Sequence, residues 1–286
     1  MSENILPGEP ETFNLFGKPL FRAPMRPGIN EVQQKKYDEA LTNYLAAPED
    51  PENIIWLGRR TAYLGRYREA CAIFTIGIEK YPDNPEFYRH RGHRFLTLRL
   101  IERAVEDFKK AAELMKGLPN MIEPDGLPNV RNTPVSSLQT NVWYHLGLGY
   151  YILGNFEKAA EAYKKGIEAW DINDNYAAFG NWYYQALKRL GRDEEAEKVL
   201  ERAEPGMDLI ENQGYLDLML MFKGVYTVEE MQEKRGLGYG IAVWYIINGD
   251  EKKAAEILKN TLSKGGWAGF NTIAAEAEYK RMGYSL

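Results

Sequence analysis

Three histidines and a run of arginines are the residues of this sequence with the most obvious chemistry. His90 and His93 stand three positions apart, and His145 is the third histidine of the chain. Between Glu86 and Glu102 there is no acidic residue. The same stretch carries Arg89, Arg91, Arg94 and Arg99. A planar guanidinium group can form two parallel hydrogen bonds with one carboxylate. This stretch therefore favours an anion or carboxylate site over an ordinary solvated helix face.

Two other chemistries are less favoured by the same residues. Two histidines at i, i+3 with a third nearby could supply three nitrogens to a metal, but the interspersed arginines would repel a dication. A histidine with a carboxylate and an anion-holding arginine could serve a hydrolase, yet no paired nucleophile accompanies them. We therefore predict no metal, no cofactor and no catalytic residue, and keep an enzyme as the less favoured alternative.

Composition narrows the class of protein. With 44% apolar and 27% charged residues, the chain is expected to be folded and soluble. The net charge of −5 argues against nucleic-acid binding through a basic surface. The single cysteine, Cys71, cannot form an internal disulfide and is expected to be a packed core thiol. No apolar run approaches the roughly 20 residues that a membrane span needs.

The proline-rich start, residues 1–27, predicts an extended N-terminal arm and not a signal peptide. Cytoplasmic location follows by default, while export with a removed leader stays open.

The elements that must position these residues recur along the chain. An offset of 34 residues aligns eight identical pairs, among them Gly58 with Gly92 and Phe74 with Phe108. The apolar residues of each unit follow the spacing of a helix with one buried face. Asp50-Pro51 and Asn84-Pro85 are typical helix starts. Glycines between successive apolar stripes, which predict left-handed turns that join two helices, are Gly65, Gly154, Gly191 and Gly249.

The repeating unit resembles the tetratricopeptide repeat family, whose unit is a helix-turn-helix of about 34 residues. Three strong matches carry Leu57-Gly58 to Pro82, Gly92 to Ala111, and Trp143 to Tyr163. The resemblance implies an all-α fold: a right-handed superhelical solenoid of stacked helical hairpins. It predicts about six hairpins over residues 28–266, with a long loop at 117–139, and a C-terminal capping helix in 267–286. A capping-box pattern at Thr227 and Glu230 marks a diverged hairpin near Met207 to Arg235.

The resemblance also implies where a ligand would bind. Family members hold acidic peptide tails with basic and amide side chains on the first helices of successive hairpins, and here arginine and histidine replace the usual lysine. Helix rise places His90 and His93 about 4.5 Å apart along the axis, and helix packing brings His145 to the neighbouring helix, roughly 8 to 10 Å away. The predicted ligand-binding residues are Arg59, Arg89, His90, His93, Asn141, Tyr144, His145 and Trp182.

Two further features bear on the site. Arg91 occupies the packing position of Leu57 and Leu146, so we expect a structural ion pair, with Glu123 or Asp125 as possible partners. The loop at 117–139 holds four prolines and several apolar side chains, which predicts that it docks beside the basic helix.

The favoured function is a non-catalytic protein–protein interaction module that binds an extended peptide or an acidic, carboxylate-bearing ligand in a concave groove. The alternative is a small-ligand receptor or hydrolase-like enzyme with a His/Arg pocket capped by the loop. A third possibility is a structural scaffold or oligomer that leaves the basic helix idle. The sequence does not name the partner.

Overall fold

The computed structural model describes residues 8–234 and 236–286 and is almost entirely helical there. Residues 1–7 of the predicted arm, and Arg235, lie outside the described residues. The chain forms two compact units, one ending at Lys116 and one covering Gly117–Leu286. The predicted all-α class of stacked helical hairpins is confirmed.

The first unit, over residues 8–116, consists of a short β-hairpin and five helices. The strands β1 (Thr12–Phe13) and β2 (Pro19–Leu20) pair antiparallel. The helices are α1 (Pro27–Ala46), α2 (Pro51–Tyr63), α3 (Tyr67–Lys80), α4 (Pro85–Thr97) and α5 (Ile101–Leu114). Each helix packs against the next, and the first helices of two successive hairpins, α2 and α4, also touch.

The second unit continues the pattern through nine helices in its described residues. They are α6 (Leu138–Ile152), α7 (Phe156–Ala169), α8 (Asn173–Arg189), α9 (Asp193–Glu201), α10 (Gln213–Phe222), α11 (Val228–Gln232), α12 (Gly238–Ile247), α13 (Glu251–Ser263) and α14 (Phe270–Arg281). The diverged hairpin predicted near 207–235 is α10 with the short α11, and the Thr227–Glu230 capping box at the start of α11 is confirmed.

The predicted starts and turns of the helices are confirmed. Asp50 and Asn84 each accept a hydrogen bond from the backbone N–H two residues on, with proline in the first turn. The four predicted turn glycines all have φ between 70° and 81°. In the hairpin α4–α5 the same place is held by Arg99, whose φ of 63° is left-handed although it carries a side chain.

Glycines inside the helices let large rings pack directly against the backbone. A Cβ added at Gly58 would stand 2.4 Å from the Phe74 ring, and one at Gly147 would stand 2.5 Å from the Tyr163 ring. Between hairpins, a Cβ at Gly166 would stand 2.0 Å from Phe179. Since ordinary contacts of this kind are about 3.5–4.0 Å, any side chain at these positions would force the ring or the helix to move. These contacts set the spacing of the helices that carry the candidate site.

The described part of the N-terminal arm is attached to the first unit. The Glu11 carboxylate, 3% exposed, accepts hydrogen bonds from the N–H groups of Tyr67 and Arg68, at 3.1 and 3.2 Å, and pairs with Arg22 at 3.0 Å. Those two N–H groups begin α3, so the carboxylate meets the positive end of the helix dipole. Thr12 donates to the carbonyl of Leu98 at 2.6 Å. The arm therefore supports the ends of both hairpins in this unit.

Candidate functional site

The basic residues of the first unit sit at matching positions of α2 and α4. Counted from Gly58 and Gly92, Trp56 matches His90, Arg59 matches His93, and Arg60 matches Arg94. Because α2 and α4 are adjacent, these positions lie on one side of the unit. We call Trp56, Arg59, Arg60, Arg89, His90, His93 and Arg94 the basic face.

Aromatic rings lie beneath the guanidinium groups of the basic face. Arg59 lies 4.2 Å from the centroid of the Trp56 ring and Arg60 lies 4.8 Å from the same centroid. Arg94 lies 5.7 Å from the ring of Tyr67. Stacking on a ring holds a guanidinium flat while its N–H edges stay available to a planar anion. Trp56, Arg60 and Arg94 were not among the predicted ligand residues, although their offsets from the repeat glycines could have indicated them.

Arg94 is a cation of the basic face whose surroundings offer it little compensation. Burial, together with the nearby Arg89, lowers the pKa of its guanidinium to about 10. Within the described residues, neither a hydrogen bond nor an ion pair joins Arg94 to a carboxylate. A guanidinium taken out of water without a counter-charge is costly, so an incoming anion would gain most at this position.

The His90 ring is buried, and its contact with Arg89 identifies which ring nitrogen carries the proton. The imidazole is 5% exposed and stacks on Phe74, with ring centroids 5.4 Å apart and an interplanar angle of 18°. Arg89 Nη1 lies 2.9 Å from His90 Nδ1. A guanidinium only donates, so Nδ1 accepts and the proton of the neutral ring sits on Nε2. His93, one turn further along α4, is partly exposed.

Arg91 forms the predicted structural ion pair, but the suggested partners from the loop were wrong. Its Nε and Nη2 each donate to Asp107 of α5 at 2.8 Å, and its Nη1 donates to Thr75 at 3.1 Å. The packing position of Arg91 faces the second helix of its own hairpin, and Asp107 occupies the place that Ile73 and Ala162 hold in other hairpins.

The predicted ligand residues of the second unit lie in or near a closed aromatic interior. Trp182 is fully buried, donates to the Tyr144 hydroxyl at 2.9 Å, and stacks on Tyr239 with centroids 5.5 Å apart. The Tyr144 hydroxyl also hydrogen-bonds that of Tyr215 at 2.8 Å, and burial holds the pKa of Tyr144 well above its usual range. Trp182 thus packs in the core, where its polar N–H is already satisfied, and the expected groove contact does not describe its surroundings.

Asn141 and His145 occupy the start and middle of α6. Asn141 Nδ2 donates to Glu123 at 2.5 Å. His145 is 5% exposed, its Nδ1 lies 2.6 Å from the carbonyl of Asn141, and its ring meets Phe270 of α14 edge-on at 5.2 Å. His145 belongs to the second unit and His90 to the first, so their predicted convergence stays a prediction.

The loop at 117–139 docks on the second unit. Arg131 forms two hydrogen bonds with Asp208, at 3.0 and 2.7 Å, and Asn129 donates to Glu211 at 2.7 Å. At its other end, Gln139 closes the loop by donating to the carbonyl of Pro119 at 2.8 Å. The described contacts lead to the segment between α9 and α10, and the predicted packing beside the basic helix stays a prediction.

A pocket of about 450 Å³ opens in the first unit beside the arm. Its polar lining comes from Arg22, Asn30, Gln34 and Arg66, and none of its lining residues is a histidine. Among the described residues, no group of three or more His, Cys, Asp or Glu side chains could hold a metal ion. None of the helices in that part of the chain has the length and apolar character to cross a membrane.

These features define the class of the protein: an α-helical repeat protein whose hairpins interlock through glycine–ring contacts. A family model described as "Tetratricopeptide repeat" matches residues 140–169, which form the hairpin α6–α7. Residues 140–169 therefore match a tetratricopeptide repeat, and the fold of the described residues is one of stacked helical hairpins. A comparison with curated proteins found no match.

Solved structures with similar architecture have low sequence identity to this chain. YrrB, titled "a TPR protein with an unusual peptide-binding site", is 14% identical, with 85% of this chain and 99% of that one aligned, at a TM-score of 0.48. MamA is 17% identical over 71% of this chain and 100% of its own, at 0.46. TTC0263 of Thermus thermophilus is 19% identical over 80% and 99%, at 0.42.

Proposed function

We propose that the protein binds a partner through the basic face, which recognises an acidic peptide by its carboxylates. Tetratricopeptide repeat proteins typically bind protein partners, and the proposal concerns the chemistry of the ligand. The observation that carries it is Arg94, a partly buried guanidinium over the Tyr67 ring and next to Arg89, with no carboxylate partner in the described part of the chain.

The basic face suits a peptide better than a compact ligand. Its cations are spread along two neighbouring helices, and each of Arg59, Arg60 and Arg94 lies over an aromatic ring. Such an array offers several separate carboxylate sites backed by apolar surface. Arg59, Arg89, His90 and His93 keep their predicted roles as ligand-binding residues. His90 serves by orienting Arg89, since its Nδ1 accepts from that guanidinium.

The test is the affinity of the full chain for a fluorescent peptide of eight glutamates, measured by anisotropy. Arg94→Met keeps the apolar stem but removes the charge, and we expect at least tenfold weaker binding, since a charge-assisted hydrogen bond contributes about 1.5–3 kcal/mol. Arg103→Met is the matched control, because Arg103 of α5 also stacks on a ring, Phe95, at 4.2 Å but lies on a second helix. Binding should also weaken as salt rises.

The stability of the same variants separates binding from folding. Arg94→Met removes a partly buried cation that has no carboxylate partner among the described residues, so its melting temperature should equal or exceed that of the wild type. A loss of binding together with undiminished stability supports the proposal. Equal binding by the wild type and Arg94→Met, or an equal loss in Arg103→Met, would contradict it.

A further inference from the structure

The C-terminal helix α14 is enclosed on every side. Seven consecutive residues, Ile273–Tyr279, are each at most 8% exposed. A helix that merely covers the end of a stack buries one face, whereas seven successive positions span the whole circumference. The helix contacts α13, as a cap would, and also α12 and α6. We call the surface that α6, α12 and the end of α8 present to α14 the inner side of the second unit.

The inner side recognises α14 through a carboxylate. Glu278, 1% exposed, pairs with Arg189 of α8 at 2.8 Å and with Arg281 at 2.5 Å. Arg281 in turn donates to the carbonyl of Ile152, at the end of α6, at 3.0 Å. A buried pair of this kind depends on geometry, and removing one partner leaves the other charge uncompensated. Arg189 thus selects a glutamate at one position of the bound helix.

Small side chains permit the close fit around this glutamate. Ala274, Ala275 and Ala277 are all buried, and they let the neighbouring helices approach the backbone of α14. The inner side therefore accepts a helix that has a run of alanine-sized residues and a glutamate that reaches Arg189.

The chain segments on both sides of α14 would let this helix detach from the inner side. The helix follows Gly265 and Gly266, whose φ angles of 80° and 73° place both in the left-handed region, where glycine is unstrained. On its other side it ends at Arg281, and Gly283 is again left-handed, with a φ of 85°. A helix bounded on both sides by glycine turns can open locally while the remaining structure stays folded.

We propose that the inner side of α6, α8 and α12 is a docking site for a helix of a partner protein, and that α14 occupies it until that helix replaces it. The partner helix carries small apolar residues and a glutamate that takes the place of Glu278 on Arg189. This site is separate from the basic face and does not depend on the function proposed for it.

The experiment adds a fluorescent peptide with the sequence of residues 267–286 to the full-length chain. In one variant, Ala275→Asp places a charge on a fully buried position of α14 and weakens its docking without altering the receiving helices. We expect the peptide to bind this variant at least tenfold more tightly than the wild type. A peptide with Glu278→Gln should bind at least tenfold more weakly, and Arg189→Met in the chain should erase the difference between the two peptides. Arg192→Met is the control, since Arg192 pairs with Glu157 and Glu195 outside α14.

If Ala275→Asp does not fold, amide hydrogen exchange of the wild type tests whether α14 can leave its site. The amides of Ile273–Tyr279 should exchange at least tenfold faster than those of α6 and α8. Equal exchange rates would identify α14 as permanent core and overturn the proposal. Equal binding of both peptides would overturn the glutamate requirement, and a wild-type dimer formed by exchange of α14 would replace the partner helix with a second copy of the chain.

Discussion

Replacing the helix glycines by alanine should destabilise the protein in proportion to how closely a ring approaches each one. At Gly166 an added Cβ would lie 2.0 Å from a ring atom of Phe179, which is 1% exposed. The two helices would have to separate by about 1.5 Å or more to restore an ordinary contact of about 3.5–4.0 Å. Phe179 is rigid and enclosed, so it cannot rotate away.

The magnitude follows from two opposing effects. Overpacking a filled site costs typically about 1–3 kcal/mol, and this overlap belongs at the upper end. Alanine is favoured over glycine inside a helix by about 1 kcal/mol, which offsets part of the loss. The expected net loss for Gly166→Ala is therefore about 2 kcal/mol, or about 4–8 °C in melting temperature for a unit of this size.

Two other glycines provide the comparison. At Gly92 the nearest ring atom of Phe108 would be 3.0 Å away, so a shift of a few tenths of an ångström suffices and Gly92→Ala should be nearly neutral. At Gly28 in α1 nothing lies within 4 Å, so Gly28→Ala should gain up to about 0.5 kcal/mol from helix propensity. Thermal and urea unfolding followed by circular dichroism measures all three. A Gly166→Ala protein as stable as Gly92→Ala would refute the claim that ring contacts set the helix spacing.

Three further outcomes are expected. Arg91→Leu should lose about 3 kcal/mol in urea unfolding because it strands the Asp107 carboxylate, and adding Asp107→Ala should recover most of this; failure to recover would mean that the ion pair itself is required. Cys71, whose pKa burial raises to about 12, should react with a thiol reagent at pH 8 only as the protein unfolds, so rapid labelling of the native chain would show that this core opens. Arg131→Ala should speed amide hydrogen exchange in the loop at 117–139, because it removes two hydrogen bonds to Asp208. Arg131 lowers the pKa of Asp208, so the difference in exchange between wild type and variant should disappear only at a pH low enough to protonate that carboxylate.

Features that depend on near neighbours in the chain were predictable. The caps at Asp50 and Asn84, and the left-handed turns such as that at Gly65, are local in origin, because a side chain a few residues away satisfies the backbone. The repeat offset also placed Arg60 and Arg94 at matching sites of adjacent helices, although the aromatic rings beneath their guanidinium groups appeared only with the side-chain geometry.

Features that depend on distant segments were not predictable. The offset that put Arg91 at a packing position did not identify Asp107, since an ion pair needs the azimuth of both helices and not only their spacing. Trp182 has the repeat position expected of a groove residue, yet rings from other helices, including Tyr239, enclose it.

The sequence by itself determined the hairpins of this protein, because helix periodicity, caps and turn glycines act within one repeat of about 34 residues. Only the tertiary structure decided how the C-terminal helix α14 packs against the other helices of its unit. The placement of α14 depends on Glu278 meeting Arg189 and on Arg281 meeting the end of α6, contacts between residues that are 89 and 129 positions apart. No local pattern encodes such contacts, since they arise only when packing brings the helices together.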